Sequence, residues 1–103
     1  MPKFDLGHVV MTPGVQETLE RHPDGKGMEE LLHVIFQRHA EADWSDDGVL
    51  DDYDVQANES ALQSGGRLVS VYFLSDGTPT GTKIYVITEW DRSATTAFLP
   101  SEY

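Results

Sequence analysis

The chain has 103 residues, with 18 Asp and Glu against 7 Lys and Arg, a formal net charge of −11 and no cysteine. That length predicts a single domain over 1–103 that buries about two thirds of the surface its unfolded form exposes, and the lack of cysteine excludes disulfides and thiolate metal sites. The charge opposes direct DNA or RNA binding, because a nucleic-acid reader needs cations to displace counterions, and it favours a protein partner with a basic surface.

The opening MPKFDLGHVVMTPG lacks the apolar stretch of a secretory signal, and no run is long enough to span a membrane. A soluble, cytoplasmic chain is expected. His8 to Met11 is a short apolar run that predicts an extra edge strand. Thr12 then caps a helix with Pro13 at its first position. That helix is expected over about 14–22, with Val15, Leu19 and His22 on one face and Pro23-Asp24-Gly25 as its stop.

From Met28, the apolar residues Leu31, Leu32, Ile35 and Phe36 recur at amphipathic-helix spacing and predict a helix over about 28–42. His39 extends its buried face and His33 sits at the edge. The acidic connection EADWSDDGVLDDYD follows, carrying one indole, Trp44. Asp51 or Asp52 caps a third helix over about 52–64, through Tyr53, Ala57, Ala61 and Leu62, and Gly65-Gly66 ends it.

Then the period changes. RLVSVYFLS at 67–75 and TKIYVITEW at 82–90 are rich in β-branched and aromatic residues and predict a hairpin around 76–81, with a third strand at 95–99 after a turn. The expected class is α+β, with helices packed on a three-stranded antiparallel meander.

Between His39 and Gly66 lie eight carboxylates, Glu41, Asp43, Asp46, Asp47, Asp51, Asp52, Asp54 and Glu59, with no lysine or arginine. Such a block serves first as a solvated, solubilising face. As a binding surface it mimics a phosphate backbone and draws in the basic groove of a nucleic-acid-handling protein. Asp43, Trp44, Asp46, Asp47, Asp51, Asp52 and Asp54 are then the contact residues, with Trp44 as aromatic anchor. The same segment also fits a twelve-position calcium loop, with Asp43, Ser45 and Asp47 as ligands, Gly48 at the turn, a Val49 carbonyl, Leu50 apolar and Asp54 last. Asp in that last place lacks the reach of the usual bidentate Glu, and the helix entering the loop is poorly apolar.

The stretch ITEWDRSATTAFLP sets Asp91, Arg92 and Ser93 beside Thr95 and Thr96. As a small hydrolase or transferase site, Ser93 would need a base within hydrogen-bond reach, and the nearest histidine in sequence, His39, lies on another element. Neither a nucleophile elbow nor a phosphate loop is present. A structural turn is the expected role, with Glu89, Asp91, Arg92, Ser93 and Thr95 bonding locally and Arg92 in reach of Glu89 or the acidic segment. No catalytic residue, cofactor or metal is assigned, and the four histidines supply no ligand set.

The C-terminal pattern GTKIxxITExDRSATTxxLPxxY runs through Gly81 to Ile84, Thr88-Glu89, Asp91 to Thr96 and Leu99-Pro100. It resembles a family of small uncharacterised bacterial proteins of plasmids and integrative elements, often labelled type I restriction subunit M. The resemblance continues upstream at Gly66-Arg67-Leu68, Ser70, Tyr72, Asn58, Ala61-Leu62, Asp43-Trp44 and Thr12-Pro13-Gly14. Trp90 and Tyr85 depart from it, as do longer segments around 24–37 and between Trp44 and Asp54, so a calcium loop there would not be shared with the family. The resemblance implies a mobile-element setting and no catalytic residues. By analogy with other small acidic proteins of such elements, it suggests an inhibitor or decoy of a host defence complex, such as a CRISPR effector or a restriction system.

Overall fold

The computed structural model describes residues 3–20, 28–45, 50–74 and 82–102. In chain order the elements are β1 (His8–Met11), α1 (Pro13–Glu20), α2 (Met28–Ala40), α3 (Asp52–Ser64), β2 (Leu68–Leu74), β3 (Thr82–Thr88), β4 (Ala94–Phe98) and a 3-10 turn at Pro100–Glu102. His22, the stop at Pro23-Asp24-Gly25 and the hairpin loop at 76–81 lie outside the described residues.

The sheet is four-stranded and mixed, in the order β1-β4-β3-β2, which corrects the expected three-stranded antiparallel meander. β2, β3 and β4 do pair antiparallel in succession. β1 adds itself parallel to β4, with His8 opposite Ala94 and Met11 opposite Ala97. The apolar pattern of HVVM marks a strand but carries no information about its neighbour. That choice is made by long-range contacts at the strand's ends. The His8 amide donates to the Ser93 carbonyl at 3.0 Å and the Thr12 amide to the Ala97 carbonyl at 3.1 Å. Gly7 makes this approach feasible: its φ is +66°, and a Cβ there would overlap the backbone of Arg92 and Ser93.

α2 ends at Ala40, two residues before the expected boundary of 42. The reason is a Schellman-type stop. The Asp43 amide reaches back to the Arg38 carbonyl at 2.9 Å and the Ala42 amide to the His39 carbonyl at 3.1 Å, with Ala42 at a left-handed φ of 65°. α3 starts as predicted, because the Asp51 carboxylate accepts from the Asp54 amide at 2.9 Å.

Alternation along the strands sends Leu68, Ser70 and Tyr72, Ile84, Val86 and Thr88, and Thr95 and Ala97 to one face of the sheet, all buried. All three helices cover that face. Val15 of α1 with Ile35 and Phe36 of α2 packs on Tyr72, Ile84, Val86 and Ala97. Ala61 of α3 joins Leu68 and Trp44, with Phe4, Leu50, Val55 and Leu62 around them.

The outer edge of β2 is closed by side-chain and loop groups. Asn58 is buried against it and mimics a neighbouring strand: its amide nitrogen donates to the Val69 carbonyl at 2.7 Å and its oxygen accepts from the Val69 amide at 3.0 Å. Two residues on, the Val71 amide donates to the Trp44 carbonyl at 2.9 Å, and Ser45 forms a parallel bridge with Val71. Removing the Asn58 carboxamide strands a backbone donor and acceptor. Asn58→Ala is therefore expected to lower unfolding free energy by about 3 kcal/mol in urea titrations, and a loss below about 1 kcal/mol would show that water replaces the amide.

Candidate functional site

The acidic segment divides, in the structure, into carboxylates that hold the fold and carboxylates that face solvent. Asp43 accepts two bonds from Arg38, at 2.7 and 3.2 Å, across the end of α2. Asp51 is the helix cap. Glu59 accepts from the Trp44 indole nitrogen at 3.1 Å. Asp52 and Asp54 are exposed in the first turn of α3, where the helix dipole favours negative charge. Asp46 and Asp47, with Gly48 and Val49, lie outside the described residues.

Trp44 is not available as a surface anchor. It is only 5% exposed, stacked at 6.2 Å on Phe4 and edge-on to His39 at 5.7 Å. The connection turns inward at this point because the Tyr72 hydroxyl donates to the Asp43 carbonyl at 2.6 Å and β2 takes the Trp44 carbonyl. The exposed aromatic of the segment is instead Tyr53, 80% accessible, between Asp52 and Asp54. Two carboxylates of the candidate calcium loop are already engaged, Asp43 by Arg38 and Asp51 by the helix. Among the described residues, no group of three His, Asp or Glu side chains is placed to hold a metal.

The turn after β3 uses its polar groups on backbone. Arg92, at a left-handed φ of 62°, reaches Glu89 as expected, through the backbone carbonyl of that residue. Its guanidinium donates to four carbonyls, those of Gly66 at 2.6 Å, Ala61 at 3.0 Å, Glu89 at 3.2 Å and Trp90 at 3.3 Å. One cation thus ties the C-terminal end of α3 to the β3–β4 turn, matching the negative end of the helix dipole. Asp91 accepts from the Ser93 amide at 3.0 Å, and its carboxyl is held below the usual range first by the Ser93 hydroxyl and then by that amide.

Sequence reasoning placed His39 at a helix end but missed what surrounds it. The ring has no exposed surface. Nδ1 meets the Ser70 hydroxyl, Nε2 meets Thr88 Oγ1 at 2.8 Å, Thr88 meets Thr95 Oγ1 at 2.7 Å, and the Thr95 hydroxyl donates to the Leu6 carbonyl at 2.7 Å. These bonds fix one another. The Leu6 carbonyl can only accept, so the single Thr95 hydrogen goes to it and Thr95 must accept from Thr88. Thr88 must then accept from His39 Nε2–H, leaving Nδ1 of the neutral ring to accept from Ser70. Burial, and secondarily the nearby Arg92 charge, lowers the His39 pKa to about 4.

A Ser–His pair resembles an activated nucleophile, yet Ser70, Thr88 and Thr95 are as fully enclosed as His39. No substrate can reach them in this arrangement. On the opposite face of the sheet, an open cleft of about 410 Å³ is lined by Thr12, Arg67, Ile87, Glu89, Thr96, Phe98 and Glu102. Glu102 is committed there: it accepts from the Thr12 hydroxyl at 2.6 Å, the Leu99 amide at 3.0 Å and the Gly14 amide at 3.3 Å. The Thr12 hydroxyl, then the Leu99 amide, holds its carboxyl below the usual range.

Two outcomes follow from these contacts. Arg92→Ala is expected to cost about 3 kcal/mol of stability, because four carbonyls lose a charged donor, while Ser93→Ala stays within about 1 kcal/mol. A catalytic turn would give the reverse pattern, lost function with unchanged melting for both. For His39, the unfolded ring binds a proton near pH 6.5 and the folded ring only near pH 4, so stability is full above the first value and falls as pH drops towards the second. Relative to His39→Gln, which does not titrate, wild type should lose about 3 kcal/mol across that window. Parallel pH profiles for the two proteins would mean that the folded ring takes up its proton near the same pH as the unfolded one. Comparison with protein-family models, curated proteins and solved structures found no match to this chain.

Proposed function

We propose that the chain is a non-enzymatic, acidic protein-binding module of a mobile genetic element. In this reading it occupies the basic groove of a host complex that targets nucleic acid, a CRISPR effector or a restriction system. The observation that carries the reading is the one-sided charge between His39 and Gly66, eight carboxylates without a lysine or arginine. The resemblance of the C-terminal pattern supports the genomic setting. Thr88, Arg92 and Thr95 of that pattern, with the matching residues Asn58, Ala61, Ser70 and Tyr72 upstream, make bonds that join helices, strands and turns, which supports a shared fold more than a shared active site.

Asp46, Asp47, Asp52 and Asp54 are the contact acids in this proposal, and Tyr53 takes the aromatic place first given to Trp44. Asp43 and Asp51 contribute charge while serving the fold. No observation favours the hydrolase or the calcium reading: Arg92 and Asp91 are spent on backbone, and Asp43 and Asp51 on Arg38 and the helix cap.

The test is affinity purification of the tagged chain from its host, followed by titration with the purified partner and competition by duplex DNA. Affinity should fall at least tenfold between about 50 and 200 mM salt, as it does when several ion pairs form. The quadruple variant Asp46→Asn, Asp47→Asn, Asp52→Asn, Asp54→Asn should lose binding while staying folded, its melting point lower by no more than the few degrees that two charges in the first turn of α3 contribute. Salt-independent binding, or full binding by that variant, would overturn the electrostatic reading.

A further inference from the structure

The open cleft of about 410 Å³ on the face of the sheet opposite the helices has the size of a small-molecule site, and its walls are all described residues. Its floor is apolar: Ile87 and Phe98, on neighbouring strands, are only 8% and 6% exposed. Around that floor stand Arg67, Glu89 and Thr96. Among the described residues, the side chains of these three bond to no other group. The remaining polar side chains of the lining, Thr12 and Glu102, are bonded to one another, and Glu102 also accepts from Gly14 and Leu99.

Arg67 and Glu89 are seated by one constraint. A single step beyond the Leu68–Thr88 pair, the antiparallel register sets Arg67 opposite Glu89. The Arg92 guanidinium holds the Gly66 carbonyl at 2.6 Å and the Glu89 carbonyl at 3.2 Å, and the Glu89 amide donates to the Ala94 carbonyl. A cation and an anion therefore face each other on a fixed backbone without forming an ion pair. We propose that this cleft binds a free α-amino acid with a large apolar side chain. The ligand carboxylate lies on Arg67, its ammonium on Glu89 and its side chain over Ile87 and Phe98, with the Thr96 hydroxyl as an adjacent donor.

The lining selects this class of ligand. A purely anionic molecule would set one guanidinium against Glu89, Glu102 and a chain of net charge −11. A purely cationic one would be opposed by Arg67. A zwitterion carries no net charge and satisfies both groups with charge-assisted bonds. Adjacent strands hold facing residues about 5 Å apart, close enough for one carbon to present carboxylate to one and ammonium to the other. The end of a peptide offers only one of the two. Because α3 and its exposed acids pack on the other face of the sheet, this site is separate from the protein-binding surface proposed above.

Contacts this few in an open cleft give a dissociation constant on the order of 1 mM, which amide chemical shifts of the isotope-labelled chain can follow. L-leucine should shift the Ile87, Glu89 and Thr96 resonances saturably. N-acetyl-L-leucine lacks the ammonium, L-leucinamide the carboxylate and glycine the apolar side chain, and each should bind about tenfold more weakly or worse. Arg67→Gln and Glu89→Gln should each weaken L-leucine by a similar factor with wild-type melting, since neither side chain bonds within the fold. No saturable shift with L-leucine would overturn the proposal. Equal binding of the acetylated or amidated compound would also overturn it, by making the cleft a reader of peptide ends, and so would unchanged affinity in both glutamine variants.

Discussion

The carbonyl oxygen of Leu6 sets the direction of every proton in the buried junction of this fold. It consumes the Thr95 hydrogen, and through Thr88 it decides which nitrogen of His39 carries a proton and which must accept from Ser70. Five groups from the N-terminal segment, α2, β2, β3 and β4 are thereby joined with no buried side-chain polar atom left unpaired among the described residues. The chain has one solution as long as the ring is neutral, since a second ring proton would face the Ser70 oxygen and displace the hydrogen it donates. Phe4 stands edge-on to the ring at 5.2 Å and Arg92 stands over Phe4 at 5.7 Å. The aromatic packing and the helix-to-turn clamp thus converge on the same point.

What could be read from the sequence follows from which signals are local. The amphipathic spacing of α2, the Asp51 cap and Gly65 stop of α3, and the β-branched strands β2 and β3 are written in neighbouring residues, and the elements form where expected. The parallel seat of β1 is not local. It depends on Gly7 passing the Arg92–Ser93 backbone and on Leu6 meeting Thr95, contacts between residues far apart in sequence. Asn58 and Ser70 look like ordinary surface residues in a pattern of hydrophobicity, and only the pairing of distant elements reveals that both are buried. Trp44 erred in the other direction. Its acidic neighbours suggested exposure, while the Schellman-type turn at Ala42 sends it beneath Phe4.

The charge of the acidic segment is layered. Asp43, Asp51 and Glu59 meet a guanidinium, a helix end and an indole N–H, so part of the negative potential is anchored by bonds that also define the backbone. Asp52 and Asp54 remain free of such duties. This separation lets the outward charge vary without touching the contacts that position it, which is how a surface can change partners while its scaffold stays fixed.

Closure of β2 by the Asn58 carboxamide has a consequence for growth. An extended sheet needs two free edges per unit, one to receive a strand and one to offer the next. Here one edge is already occupied by a side chain that satisfies the backbone but cannot pass the ladder on. While the carboxamide holds Val69, no ladder can be handed on through this edge, so the sheet cannot serve as a repeating unit that passes strands along in both directions.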